Sequence, residues 1–242
     1  MSAQDETLDS FLRGKLSLLQ PKRGYRASLD AVLLARFATV RGAKKILDLG
    51  SGNGAVALML AVLHPAARVV GLEVQESMVE RARRNIELNR LGDRVRVVSG
   101  DVRRAKEILR PESFDIVVSN PPYGAPRSGR VNPNAEKRIA RHEILATLAD
   151  FLAAAAYALR KGGAFAAVFP ASRAIDLLAG MRQQGLEPKR VRFVHSGAAS
   201  PASLVLAEGR KEGGRELEIL PPLVVYDETG KYTPEVSALL EE

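Results

Sequence analysis

The chain has 242 residues, 46% of them hydrophobic and 26% charged, a balance that suits one packed α/β domain and argues against disorder. It contains no cysteine, which excludes disulfides, thiolate metal sites and a cysteine nucleophile, and fits a reducing compartment. A net charge of +8, from 36 Lys and Arg against 28 Asp and Glu, makes a polyanion such as nucleic acid a reasonable partner, beside the plainer reading of a solvated basic surface.

The first ten residues, MSAQDETLDS, are acidic and polar and do not read as a signal peptide. No apolar run approaches the roughly 18 residues needed to cross a bilayer, so a cytoplasmic protein is expected. Residues 1–43 read as an N-terminal extension with a short helix around Asp30 to Phe37. From 44 to 207, apolar strand-like runs alternate with helical stretches, the pattern of a parallel sheet covered on both faces. Lys45 to Leu49 reads as the first strand of that core, followed by a glycine-rich turn and a helix from Ala55 to Leu63. Arg68 to Glu73 is the second strand, and Glu76 to Arg90 an amphipathic helix ended near Gly92. Arg94 to Ser99 is the third, with a short helix before Pro111. Phe114 to Ser119 is the fourth, running into Asn120-Pro121-Pro122-Tyr123. Gly124 to Lys137 reads as a long polar loop, and a helix of about 20 residues is expected to follow, to Leu159. Gly163 to Phe169 is the fifth strand, with two more near Arg190–His195 and Ser203–Ala207. Residues 208–242 form a C-terminal extension with a further strand at Leu223–Tyr226. One domain is expected throughout.

Two constellations carry chemistry. Asp48-Leu49-Gly50-Ser51-Gly52-Asn53-Gly54 closes a strand and opens a helix, where glycines let the backbone turn sharply and approach a ligand. Its G-x-G-x-G spacing is not the dinucleotide fingerprint and no phosphate-binding lysine follows, so a neutral adenosyl ligand fits better than a pyrophosphate. Glu73, at the end of the next strand, sits where doubly wound sheets accept hydrogen bonds from ribose hydroxyls, and Val74 offers an apolar face to an adenine. Asp101 closes the third strand and suits the adenine amino group, with the Val102 N–H on a ring nitrogen. Over about residues 44 to 207 this order resembles the Rossmann-like class I methyltransferases. The resemblance implies a seven-stranded, mostly parallel sheet with an antiparallel last hairpin and helices on both faces. It also implies S-adenosylmethionine as cofactor, S-adenosylhomocysteine as product and no metal, with the glycine loop around the methionine end.

The second constellation is Asn120-Pro121-Pro122-Tyr123, following the fourth strand. A planar nitrogen is a poor nucleophile because its lone pair is delocalised. Two acceptors aimed at its two hydrogens stabilise the charge that develops on it, and the Asn120 side-chain oxygen and Pro121 carbonyl can supply them. The prolines stiffen the turn, and Tyr123 offers a stacking face. This tetrapeptide resembles the signature shared by DNA adenine, RNA adenine, RNA guanine and release-factor glutamine methyltransferases, and places Asn120 against the cofactor as well as the substrate.

The flanks choose among those substrates. Gly24 to Ala35, with Asn132-Pro133 and Ala140-Arg141-His142-Glu143, is similar to bacterial tRNA1(Val) (adenine-37-N6)-methyltransferases. That resemblance implies N6 of an adenine in tRNA, in the anticodon-loop region, and a cofactor-covering role for Tyr25 and Arg26. Arg127, Arg130, Lys137, Arg138 and Arg141 are candidate phosphate contacts just beyond the catalytic turn. Three alternatives stay open at this point: N5-methylation of a protein glutamine, methylation of an rRNA or DNA base, and a non-enzymatic cofactor- or RNA-binding module. Monomer and homodimer also both stay open.

Overall fold

The computed structural model describes residues 6–22, 26, 29–122 and 146–241. The chain opens with two short strands, β1 (Glu6–Phe11) and β2 (Leu16–Pro21), paired antiparallel as a hairpin. Helix α1 (Leu29–Phe37) follows. The N-terminal stretch expected to be a helical extension therefore carries a hairpin ahead of its helix. The alternation in Leu16-Ser17-Leu18-Leu19-Gln20 was too short to announce it, and burial of Leu16 and Leu18 on one side of the ribbon is what holds it.

The core is β3 (Lys45–Leu49), α2 (Ala55–Leu63), β4 (Arg68–Glu73), α3 (Glu76–Leu88), β5 (Val95–Ser99), a 3-10 turn at Val102–Arg104, α4 (Ala105–Ile108) and β6 (Phe114–Ser119). It continues with α5 (Leu148–Ala158), β7 (Leu159–Pro170), α6 (Ala174–Gln183), β8 (Leu186–His195) and β9 (Ala202–Lys211). Two short strands, β10 (Glu218–Ile219) and β11 (Leu223–Val224), and helix α7 (Pro234–Glu241) complete the chain. The described helix α5 has 11 residues, not the expected twenty, because Thr147 and Asp150 form a reciprocal capping box that starts it at Leu148.

Strand order is β10-β8-β9-β7-β6-β3-β4-β5, and β11 also pairs with β8. All pairings are parallel except those of β9, which lies antiparallel between β7 and β8. The expected seven strands are thus present, and β10 and β11 extend the sheet to nine beyond β8. Alternate residues feed two separate cores. Ile46, Val69, Val118 and Val168 face α1, α2 and the hairpin, while Leu47, Leu72, Val117 and Phe165 face α4, α5 and α6. Burial on both faces explains why these strands read as continuous apolar runs.

Helix α2, AVALMLAVL, is buried all round from Ala55 to Ala61. A helix apolar on every side needs cover beyond the sheet, and α1 with the β2 face of the hairpin supplies it. Each fully buried Leu or Met there contributes about 1.5–3 kcal/mol.

The order also locates the site. The chain moves from β3 outward through β4 to β5, then returns to the other side of β3 as β6. Loops leaving the carboxyl ends of β3 and β6 diverge at that reversal and open a crevice between them.

Candidate active site

The loop after β3 is shaped by its glycines. Gly50, Gly52 and Gly54 have φ of +73°, +55° and +84°, where side chains are strained. A Cβ on Gly50 would meet the Phe151 ring at 3.0 Å, so a side chain there would crowd the ring as well as strain the backbone. Gly50 and Ser51 donate their N–H groups to the Leu72 carbonyl at 2.8 and 3.1 Å, tying the loop to the end of β4.

Glu73 lies at the end of β4, 5% exposed. Its carboxylate accepts from the Gly52 N–H at 2.9 Å and the Gln75 N–H at 2.8 Å. Two backbone donors hold it in place, and a carboxylate has about four acceptor positions, so capacity remains for ribose hydroxyls. Val74, the next residue, is 59% exposed, an apolar surface open at the rim of the crevice. Asp48 is buried beneath the loop and accepts from the Ala57 N–H at 3.1 Å. Burial pushes its carboxyl up to about 7, with the Glu73 charge adding to the effect.

Asp101 caps the 3-10 turn, accepting from the Arg103 N–H at 2.9 Å. The Arg103 guanidinium also grips both carboxylate oxygens and holds this carboxyl below its ordinary range. Any adenine amino group at Asp101 would share it with Arg103, a partner that sequence reasoning did not assign. The Val102 side chain beside it is buried.

Asn120 is half-buried, Pro121 buried and Pro122 exposed. They follow directly on the Leu49–Ser119 pair of the β3–β6 ladder, where the Ser119 hydroxyl donates to the Leu49 carbonyl at 2.8 Å. The turn at Asn120-Pro121-Pro122 therefore starts alongside Gly50. Tyr25, Tyr123, Arg127, Arg130, Lys137, Arg138 and Arg141 lie outside the described residues. Arg26 donates to the Pro21 carbonyl at 3.1 Å and pairs with Asp9 at 2.5 Å, so it closes the hairpin.

The glycine loop also has a polar support that sequence reasoning missed. Asn85, fully buried on α3, donates to the Asn53 carbonyl at 3.0 Å and the Leu19 carbonyl at 3.1 Å, and accepts from the Leu19 N–H at 2.7 Å. The signal was available: an asparagine on the apolar side of α3 needs partners.

The loop fits an adenosyl cofactor on its own evidence of unmet need. The Ser51 hydroxyl and the Asn53 side-chain oxygen are buried and accept or donate no hydrogen bond among the described residues. Among those residues no His, Asp and Glu side chains cluster as a metal site, and no helix is long and apolar enough to cross a membrane.

Residues 28–182 match the methyltransferase small domain family. A solved protein described as a predicted O-methyltransferase, Atu636 from Agrobacterium tumefaciens, superimposes with a TM-score of 0.70 at 25% identity, covering 87% of this chain and 94% of that one. A putative methyltransferase from Bacillus halodurans shares the fold at 19% identity, with a TM-score of 0.55 over 77% of this chain and all of its own. Fold, glycine loop and strand-end carboxylate define an S-adenosylmethionine-dependent methyltransferase of the Rossmann-like class I.

Within that class the chain belongs to the methyltransferase small domain family, in the branch of the tRNA1(Val) (adenine(37)-N6)-methyltransferases. Proteins of that name from Porphyromonas gingivalis and Tolumonas auensis are 30% and 29% identical to it, each over 96% of this chain and 94% and 95% of their own.

Proposed function

We propose that this enzyme methylates N6 of an adenine in tRNA, in the anticodon-loop region. The observation that carries the reading is Asn120-Pro121-Pro122 leaving β6 beside the glycine loop at the point where the sheet order reverses. The tRNA and the adenine rest on the names of the full-length relatives.

Bound S-adenosylmethionine supplies an electrophilic methyl on a sulfonium. Gly50, Ser51, Gly52, Asn53 and Gly54, with Asp48 beneath, would hold one end of it; Glu73, Val74, Asp101 and Val102 would hold the ribose and adenine. Asn120 and the Pro121 carbonyl accept from the two amino hydrogens, so positive charge developing on the attacking nitrogen meets acceptors already in place. The cofactor would supply the methyl group, leaving as S-adenosylhomocysteine, and the extra proton on the nitrogen would pass to solvent. Alignment and electrostatics supply the rate, and no strong base is asked of the chain. Tyr123 stacks the base, and Arg127, Arg130, Lys137, Arg138 and Arg141 contact phosphate. The resemblance also gives Tyr25 and Arg26 a cofactor-covering role, and Arg26 would have to leave the Pro21 carbonyl and Asp9 to take it up. An anticodon loop suits this crevice because its bases are already partly splayed.

Labelled S-adenosylmethionine with tRNA from a strain lacking the enzyme should give N6-methyladenosine after nuclease digestion. Asn120→Ala should abolish most of that label while cofactor affinity stays close to wild type. Label in a release factor and none in RNA would overturn the assignment.

A further inference from the structure

The amino edge of the sheet carries a cleft well away from the catalytic crevice. β3 and β4 run parallel, so the segments that lead into them, residues 38–44 and 63–67, meet on one side of the molecule. Gly50 and Glu73 stand at the opposite ends of the same two strands. With five and six residues in those strands and about 3.3 Å of rise per residue, cleft and crevice lie roughly 17–20 Å apart. The cleft has a volume of about 900 Å³, the size of a site for a nucleotide-sized group and far more than one inorganic ion fills.

Its lining carries one sign of charge. Arg36, Arg41, Lys44 and Arg190 supply four cations and His64 an imidazole, and among the described residues no Asp or Glu lines it. Carboxylates stand behind these groups, but each is engaged there. Asp115 accepts from the backbone N–H groups of Lys44 and Lys45 and pairs with Arg160 at 2.6 Å. Glu208, opposite Arg190 in the β8–β9 ladder, is buried and accepts from the Thr39 N–H at 2.8 Å. Arg190 is held in the wall. It donates to Thr39 Oγ1 at 2.7 Å and to the Phe37 carbonyl at 3.1 Å, and its guanidinium lies 4.6 Å from the centre of the Phe37 ring.

Arg41 and Lys44, on the exposed turn between α1 and β3, form no ion pair among the described residues. Elsewhere on the surface, arginines such as Arg104 and Arg182 have a carboxylate beside them. His64 feels the resulting field. Burial and then the Arg36 charge lower its pKa, so the ring is neutral at pH 7 and the charge of the cleft rests on the guanidiniums and the ammonium. A neighbouring cleft that shares Thr39 and Arg190 is lined by Glu208, Glu212 and Glu218 as well as by lysines and arginines, so the one-sided charge stops at the first.

Cations gathered in this way repel one another and attract an anion. The size and sign of the cleft fit phosphates carried on a larger molecule. On the tRNA reading above, on which this inference rests, the substrate has a phosphate backbone that extends far beyond the base in the crevice. We propose that the cleft is a second contact for the RNA, taking backbone phosphates on Arg41 and Lys44, with Arg190 a fixed charge in its wall. Such contacts position the RNA and carry no information about the base.

Filter binding of full-length tRNA, joined to methylation kinetics, tests the assignment. Arg41→Gln with Lys44→Gln removes charge from an exposed turn and leaves the backbone bond from Lys44 to Asp115 in place. The pair should weaken tRNA about tenfold at about 150 mM salt and make the slope of log affinity against log salt shallower by nearly two. KM for tRNA should rise with kcat unchanged, since a remote contact is made equally before and during methyl transfer. S-adenosylhomocysteine should bind as it does to wild type. Arg96→Gln with Arg110→Gln removes the same charge from exposed positions outside the cleft and should keep tRNA affinity within about twofold.

Equal losses from the two pairs would mean that overall charge alone matters and would overturn the proposal. So would wild-type tRNA affinity in the Arg41 and Lys44 variant. Adenosine monophosphate gives a further arm: saturable binding that the Arg41 and Lys44 changes abolish, with tRNA affinity unaltered, would make the cleft a site for a free nucleotide and overturn the RNA assignment. Wild-type protein that retains no tRNA would overturn the tRNA reading itself, and this inference with it.

Discussion

At the scale of single residues, Asp48 is the most exposed to pH. It is buried, with one backbone N–H as partner, and its carboxyl titrates near 7 instead of the ordinary 3.8. Between those two values the folded state holds a proton that the unfolded chain releases. Its contribution to stability is therefore complete below about 4 and is lost as pH rises toward 7 and beyond. Asp48→Asn removes the titration. Urea unfolding of the cofactor-free protein should show the variant gaining on wild type by up to a few kcal/mol between pH 5 and pH 8. A constant difference across that range would show that Asp48 is charged throughout. Asp101 runs the other way, since Arg103 keeps it ionised well into acid. The two carboxylates differ because one has a guanidinium beside it and the other has only the end of a helix.

At the scale of elements, the hairpin is the part with most to test. Glu6 pairs with Arg81 at 2.8 Å and with Arg84 at 2.5 Å, and the Arg81 side chain is only 2% exposed. Glu6→Ala removes the carboxylate that both guanidiniums grip, a loss of about 1.5–3 kcal/mol for hydrogen bonds to a charged group. Denaturant unfolding should register the loss, and hydrogen exchange should speed at the Leu19 amide, which Asn85 holds across the junction. Unchanged exchange there would mean the hairpin is anchored by its leucines alone. The bond from Arg84 sets the Glu6 carboxyl below 4.5, so its stabilisation is present above that value and fades in acid. Much of this was legible piecemeal: Leu16 and Leu18 as an apolar pair, Asn85 as a misplaced polar residue. What joined them was not, because hydrogen bonds between residues 66 apart leave no local pattern.

At the scale of the whole molecule, the switch in strand order places the crevice and the net charge of +8 supplies the field around it. Binding to a polyanion releases counterions, so tRNA affinity should fall with salt. A footprint of about four phosphates loses roughly a hundredfold between 50 and 200 mM salt. S-adenosylhomocysteine binding, which depends on a pre-formed loop, should stay nearly constant over that range. A tRNA affinity equally flat in a filter-binding titration would remove the phosphate contacts from the account. The short strands β10 and β11 both pair with β8 and complete its outer edge.

The sequence alone determined the alternation of strands and helices, the glycine turn, the acidic strand ends and the turn at Asn120, because each is written in neighbouring residues with a fixed period or spacing. It also carried the family, since those motifs fall in a diagnostic order. Only the tertiary structure decided that Asp101 is shared with Arg103, that Arg26 closes the hairpin, and that β2 covers the all-apolar α2. It alone brought Gln20 to Asn53. Those contacts join chain segments far apart or side chains with several possible partners, and which partner wins is settled by packing and by the need to satisfy every buried polar atom.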